Sequence, residues 1–152
     1  MGWTRKWAVG KHIGIVLFPD VEELDVVGPW EALSFWARSH PQDSYAVSCL
    51  SRAGGLVTCA NGLTIQAHHL FADAPPLKVL PYPGGQGTRS QLRDERQLDW
   101  VRYQRVTASL LTSVCTGSLV YAAAGVLSGR PATTDRAREV LRAMEYDPSP
   151  PV

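Results

Sequence analysis

Runs of apolar residues predict the strands of a buried sheet. Residues 12–18 form a continuous β-branched and apolar run that ends at Pro19-Asp20, which is typical of a strand covered on both faces. Three other apolar stretches have the length of strands, namely residues 45–51, 77–82 and 110–114. Because strands covered on both faces belong mostly to parallel sheets, this pattern favours a parallel sheet.

Apolar residues at helical spacing predict two helices between these strands. The first covers residues 28–39, with Pro29 in the first turn, where its missing N–H costs nothing. The second begins near Glu95, because Asp94 and Gln97 have the spacing of a capping box. Strands that alternate with helices in this way predict an α/β fold.

Three smaller features complete the predicted elements. Asn61-Gly62 separates two short strand-like stretches, residues 56–60 and 63–66, and predicts a hairpin with a type I′ turn. A helix is predicted from Thr116 to Ala124, where Gly125 stops it. A last helix is predicted over residues 136–145, before a proline-rich tail.

Length and charge exclude several classes of protein. The 152 residues are enough for one domain. A net charge of +1 is too small to give the strong attraction to phosphate groups that nucleic-acid-binding proteins need. No apolar run approaches the roughly 18 residues that span a bilayer. Residues 1–11 do not have the pattern of a secretory signal, so we interpret them as a leader before the first strand.

The cysteine and histidine content indicates the compartment and the absence of a metal site. Cys49, Cys59 and Cys115 are too few and too scattered for a disulfide framework, which favours a reducing cytoplasm. The four histidines fall in unrelated segments, and none is interpreted as a metal ligand.

Three predicted strands are followed by residues that could carry chemistry. Asp25 follows the first strand, Gly84-Gly85 follows the strand over 77–82, and Cys115 ends the strand over 110–114. Because the reactive crevice of an open α/β sheet lies beyond the carboxyl ends of its strands, we expect these residues to meet in one pocket.

A cysteine at a strand-to-helix turn is a candidate nucleophile. The positive end of the following helix would stabilise a Cys115 thiolate, and small residues after it suit a tight elbow. Backbone N–H groups of Gly84, Gly85 and Thr116 would form an anion hole, and Asp25 would act as general acid or base.

Structural interpretations stand beside these functional ones. A cysteine at the end of a core strand is more often a packing residue, and we assign Cys49 and Cys59 to that class. For Asp25 the alternative is a helix cap, and Glu22 and Glu23 are interpreted as solvated.

Several of these stretches together resemble the ThiJ/PfpI superfamily, and within it the isonitrile (isocyanide) hydratase-like branch. The matching residues are 13–19 (IGIVLFP), 24–29 (LDVVGP), 83–85 (PGG), 113–118 (SVCTGS) and 132–134 (ATT), in the order and spacing of the family. The resemblance implies a flavodoxin-like α/β sandwich of the class I glutamine amidotransferase-like type. It also implies one domain over residues 1–152, with a core over 12–134 and a C-terminal helix and proline-rich tail over 135–152.

The resemblance also implies a site and an activity. Cys115 would be the nucleophile, Asp25 its acidic partner, and Gly85 and Thr116 the backbone donors. Thr116 stands where amidotransferase-like relatives have a histidine, which favours the hydratase-like branch over the protease and deglycase branches. The implied reaction converts a small isocyanide to an N-substituted formamide without cofactor or metal, in a homodimer.

One departure from the family pattern bears on activity. After residues 132–134 the family continues into a His-Trp pair, further strands and more helix, whereas this chain passes at Asp135 into what resembles the terminal helix. Two alternatives to the hydratase interpretation are a ligand- or redox-sensing module, similar to the effector half of some AraC-type regulators, and an inactive shortened paralogue.

Overall fold

Five parallel strands form the central sheet of the computed structural model, which describes residues 10–130. In chain order the elements are β1 (Lys11–Leu17), α1 (Glu23–Ser39), a 3₁₀ turn (Pro41–Asp43), β2 (Tyr45–Ser51), β3 (Leu56–Thr58), β4 (Thr64–Gln66), β5 (His69–Leu70), β6 (Leu77–Tyr82), α2 (Thr88–Gln91), α3 (Glu95–Thr107), β7 (Leu110–Ser113) and α4 (Gly117–Ala123). The sheet order is β5-β2-β1-β6-β7, and β3 and β4 form a separate antiparallel hairpin.

The order of the strands makes this a doubly wound, flavodoxin-like α/β sandwich. The chain moves from β1 to β2 in one direction along the sheet and from β6 to β7 in the other. Since parallel crossovers are right-handed, α1 and α3 lie on opposite faces. The switch point falls between β1 and β6, and ligands of such folds bind at the carboxyl ends of the strands there.

The core lies along the two central strands of the sheet. The apolar residues 13 and 15–17 of β1 are buried, and so is Phe18 directly after it, as expected for a strand between two helical layers. On α1, Trp30, Leu33 and Ala37 pack against this core. The four strands predicted from apolar runs are confirmed to within a residue at each end.

The first helix begins five residues earlier than predicted. We placed its start at Gly28-Pro29, but α1 starts at Glu23, so Pro29 lies inside the helix and cannot donate to the Asp25 carbonyl. Glu22 at the N-cap makes no side-chain capping bond. Tertiary contacts of the first turn, described below, extend the helix beyond its local start signal.

The hairpin exists, but its turn differs from the prediction. A type I′ turn would need positive φ at both Asn61 and Gly62, whereas only Gly62 has it, at φ 95°. The Cys59 carbonyl accepts from the Gly62 N–H, and the Cys59 N–H donates to the Leu63 carbonyl, which closes a longer loop.

The predicted capping box of α3 is half present. The Asp94 carboxylate accepts from the N–H groups of Arg96 and Gln97. The Gln97 side chain does not reach back to the cap; its amide donates to the buried Tyr82 hydroxyl at 2.8 Å. The short β5 and α2 were not predicted, because two and four residues carry no periodic signal.

Other predictions fall outside the described part of the chain. The helix over residues 136–145, the stretch over 132–134 and most of the predicted leader lie outside residues 10–130. No helix within 10–130 is long and apolar enough to cross a membrane.

The buried Tyr82 hydroxyl provides a test of the core. It lies between the side chains of Gln97 and Gln91, both buried. We expect Tyr82→Phe to lower the free energy of unfolding by about 1–3 kcal/mol, because two buried amide groups lose their partner. Tyr103→Phe, which removes a hydroxyl from an exposed side chain of α3, should change it by less than about 0.5 kcal/mol. Urea unfolding measures both values, and equal losses would contradict the described network.

Candidate active site

Cys115 occupies a sharp turn between β7 and α4. Its φ is 51°, a left-handed conformation that costs a non-glycine residue about 1–3 kcal/mol. The turn is held on both sides, since the Val114 N–H donates to the Tyr82 carbonyl and the Gly117 N–H to the Val114 carbonyl. Cys115 is exposed, so its thiol is accessible from solvent.

Gly117 permits the turn because the backbone of β6 passes directly beside it. A β-carbon at Gly117 would lie 2.1 Å from the Tyr82 carbonyl oxygen and 2.8 Å from that of Pro83. Both obstacles are backbone atoms, which cannot swing aside as a flexible side chain could. The small residue after Cys115-Thr116 is therefore required by packing against the neighbouring strand.

The backbone of Gly84, just after β6, forms hydrogen bonds with the start of α1. Its N–H donates to the Asp25 carboxylate at 3.0 Å, and its carbonyl accepts from the Glu22 N–H at 2.9 Å. A β-carbon at Gly84 would meet the Thr116 nitrogen at 2.7 Å and the Asp25 oxygen at 2.9 Å. The Asp25 carboxylate and the Thr116 N–H therefore flank the same glycine.

A second set of hydrogen bonds fixes the loop after Gly84. The Gly85 N–H donates to the Thr116 hydroxyl at 3.0 Å, and the hydroxyl of the buried Thr88 donates to the Gly85 carbonyl at 2.7 Å. Gly85 has φ 124°, which a residue with a side chain rarely adopts. Thr88 was missed by sequence reasoning; its position directly after a glycine-rich loop was the only signal.

These bonds correct one expectation from the sequence. The N–H groups of Gly84 and Gly85 were expected to face a ligand, but both already donate within the protein, to Asp25 and to the Thr116 side chain. The Thr116 N–H is different: within residues 10–130 it donates to no acceptor. The loop of Gly84 and Gly85 lies close to Asp25 of α1 and to Thr116 before α4, so the two glycine N–H groups donate to these side chains.

Glu23, interpreted from the sequence as solvated, makes defined contacts. Its carboxylate accepts from the Asn61 N–H at 2.6 Å, from the Asn61 side-chain amide at 2.8 Å and from the Leu63 N–H at 3.4 Å. Desolvation opposes ionisation, yet these bonds and one from its own backbone N–H outweigh it and lower the pKa of Glu23. Its contribution to stability is thus present above the ordinary glutamate range and is lost as pH falls through the lowered pKa.

The other two cysteines lie in the interior. Cys49 and Cys59 are both buried, as expected for packing residues. Burial, with a smaller contribution from Cys59, raises the pKa of the Cys49 thiol to about 12. Burial likewise raises the pKa of Cys59. Since the thiolate is the reactive form, these two side chains are poor nucleophiles at neutral pH.

Within residues 10–130, no group of three His, Cys, Asp or Glu side chains lies close enough together to hold a metal ion. The chemistry available at the site is that of one thiol, one carboxylate, two hydroxyls and a backbone donor. Such a set can add a nucleophile to a small electrophile and move the accompanying proton.

The family of the chain follows from comparison with known proteins. The sequence profile of the DJ-1/PfpI family matches residues 11–146. The chain belongs to this family. The Pseudomonas putida protein named isonitrile hydratase is 42% identical over 123 residues, which are 81% of this chain and 51% of that protein. The chain thus spans about half the length of this curated relative.

Solved structures of similar proteins have the same fold. A ThiJ/PfpI family protein from Pseudomonas syringae superposes with a TM-score of 0.75 at 29% identity, covering 94% of this chain and 58% of that one. A Vibrio parahaemolyticus protein described as a putative transcriptional regulator gives a TM-score of 0.74 at 16% identity, covering 90% of this chain and 74% of that one. At that identity the second likeness concerns the fold alone.

The approach of β6 to the elbow can be tested with two alanine variants. We expect Gly117→Ala to lower the free energy of unfolding by about 3 kcal/mol or more, because its β-carbon meets backbone atoms of Tyr82 and Pro83. Gly28→Ala adds the same atom to α1 where nothing lies within 4 Å, and should change stability by less than about 1 kcal/mol. A Gly117→Ala protein that unfolds at the wild-type urea concentration would disprove the contact.

Proposed function

We propose that this chain catalyses the hydration of a small isocyanide to an N-substituted formamide, with Cys115 as nucleophile. The observation that carries the proposal is the arrangement around Gly84, which lies against both the Asp25 carboxylate and the backbone nitrogen of Thr116, the residue directly after the exposed Cys115. The 42% identity to a protein named isonitrile hydratase supports the choice of substrate class.

The proposed reaction has two stages that balance to isocyanide plus water. In the first, the Cys115 sulfur bonds to the terminal isocyanide carbon, and Asp25 passes the thiol proton to that carbon, which gives a thioimidate. In the second, Asp25 takes a proton from water as its oxygen adds to the same carbon. Asp25 then gives this proton to the nitrogen. The carbon–sulfur bond breaks as the added hydroxyl becomes the carbonyl and its proton passes to the sulfur, so N-substituted formamide leaves with the thiol restored.

The remaining site residues would hold these groups in place. The N–H of Thr116, the residue that follows Cys115 in the chain, replaces the glycine pair as the proposed source of charge stabilisation. Gly84 and Gly85 act through Asp25 and the Thr116 hydroxyl, to which their N–H groups donate. The scheme consumes only isocyanide and water, so no step uses a cofactor or a metal.

A hydration assay tests the proposal. Formamide release from a simple alkyl isocyanide should fall by at least about 100-fold in Cys115→Ala, and by about 100-fold in Asp25→Asn, which cannot move the proton. Cys49→Ala, which removes a buried thiol, should keep the wild-type rate per folded molecule.

Other outcomes of this assay separate the alternatives. Equal formamide release by wild type and Cys115→Ala would remove Cys115 from the mechanism. Selective oxidation of Cys115 by peroxide without turnover would support a redox-sensing module. Alkylation of Cys115 no faster than that of free cysteine, again without turnover, would indicate an inactive paralogue.

We also propose that the chain forms a homodimer through α1. Leu24, Val27 and Phe35 lie on one side of this helix, and they are 73%, 42% and 62% exposed. Glu31 is the exposed charged residue among them. Three exposed apolar side chains on one side of a helix can be covered by a second copy through a two-fold contact.

Sedimentation measures this association. Phe35→Glu should shift the protein from dimer to monomer mass, because it places a charge in the proposed contact. Val106→Glu adds the same charge at an exposed apolar residue of α3 and should leave the mass unchanged. A wild-type protein that sediments as a monomer at every concentration would exclude the dimer.

A further inference from the structure

We infer that Glu23 is a positioning residue that holds the Asp25 carboxylate in place by tying the tip of the β3–β4 hairpin to the first turn of α1. The inference deepens the proposed hydratase function and rests on it for the role of Asp25. Its structural basis is independent of any substrate, because it consists of hydrogen bonds within the chain.

The first turn of α1 is not held by the usual local device. Glu22 at the N-cap makes no side-chain bond to the turn, and Pro29 removes a helical bond to the Asp25 carbonyl. The direction of this turn, and with it the position of the Asp25 side chain, must therefore come from contacts with other elements.

Two such contacts lie on opposite sides of the turn. On one side the Gly84 peptide group bonds to the Glu22 N–H and the Asp25 carboxylate. On the other side Glu23 accepts from Asn61 and Leu63 of the hairpin loop. Residues two apart on a helix point in nearly opposite directions, which is why the two carboxylates can serve different partners.

The hairpin is itself anchored to the segment that precedes α1. The Asp20 N–H donates to the Thr58 carbonyl at 3.0 Å, and the Ala60 N–H donates to the Val21 carbonyl at 2.9 Å. The Gly87 N–H donates to the Asp20 carbonyl from the other side. The chain from Asp20 to Asp25 is thus clamped between the hairpin and the glycine loop, and Glu23 supplies the hairpin side of that clamp within α1.

The pair of Glu23 and Asn61 can be exchanged to test this clamp. Glu23→Gln replaces the charge-assisted bond by a neutral amide–amide bond, for which the Asn61 side chain must turn over. Asn61→Asp places two carboxylates together. Each single variant therefore weakens or removes the charge-assisted contact between the two side chains. In the double variant the new amide donates to the new carboxylate, so the contact is restored with its polarity reversed. Glu22→Gln is the matched control, because it removes the neighbouring negative charge and leaves the clamp intact.

The first readout is the Gly84 amide proton, which reports its bond to Asp25 without any catalysis. In NMR exchange measurements, Glu23→Gln and Asn61→Asp should speed exchange of the Gly84 amide, and the double variant should slow it again towards wild type. Glu22→Gln should leave it unchanged. Faster exchange confined to residues 58–66 would mean that Glu23 holds only the hairpin, and the inference would be wrong.

The second readout is isocyanide hydration. Glu23→Gln should lower kcat by about tenfold and leave KM within about twofold, because a displaced proton carrier slows the chemical step more than binding. The double variant should recover kcat to within about threefold of wild type. A loss of equal size in Glu22→Gln, or no recovery in the double variant, would overturn the inference.

The two readouts separate the inference from the proposed function. If the wild-type protein does not hydrate isocyanides but the Gly84 amide responds as described, the proposed function fails and the clamp stands. If hydration depends on Cys115 and Asp25 but the Gly84 amide does not respond to Glu23→Gln, the clamp fails and the proposed function stands.

Discussion

The site depends on backbone segments that approach one another too closely for a side chain to intervene. At the carboxyl edge of the sheet the Gly84 peptide group lies between the first turn of α1 and the Thr116 amide. Gly117 lies against the Tyr82 carbonyl, where a β-carbon would be 2.1 Å from oxygen. Hydrogen bonds made across these contacts hold the first turn of α1 and the elbow at Cys115.

This close packing explains how the strained elbow persists. A left-handed Cys115 is unfavourable by itself, but the bonds of Val114 and Gly117 to their neighbours leave the chain no relaxed alternative. The free energy that this conformation costs is offset by the stability of the sheet, in which β6 pairs with β1 and β7. The exposed thiol is thus presented by a rigid part of the fold, whereas the interior thiols of Cys49 and Cys59 are kept protonated by burial.

The candidate site is built from residues that follow three neighbouring strands of the sheet. Asp25 lies in the first turn of α1, which follows β1, whereas Gly84 and Cys115 lie just after β6 and β7. These three strands are neighbours in the sheet. In this part of the chain β7 is an edge strand, and Leu110 at its start is half exposed. The candidate residues therefore lie on both sides of the switch point of the sheet, which falls between β1 and β6.

The sequence by itself determined the parallel sheet, the order of its main elements and the positions of the cysteine elbow and the glycine loop. These depend on local signals: continuous apolar runs, Asp94 as a cap, and glycines after strands. Only the tertiary structure decided where α1 begins, how the hairpin turns, and which partners the N–H groups of Gly84 and Gly85 take. The carboxylates of Glu23 and Asp25 bond to residues far along the chain, and contacts of this range leave no periodic trace in the sequence.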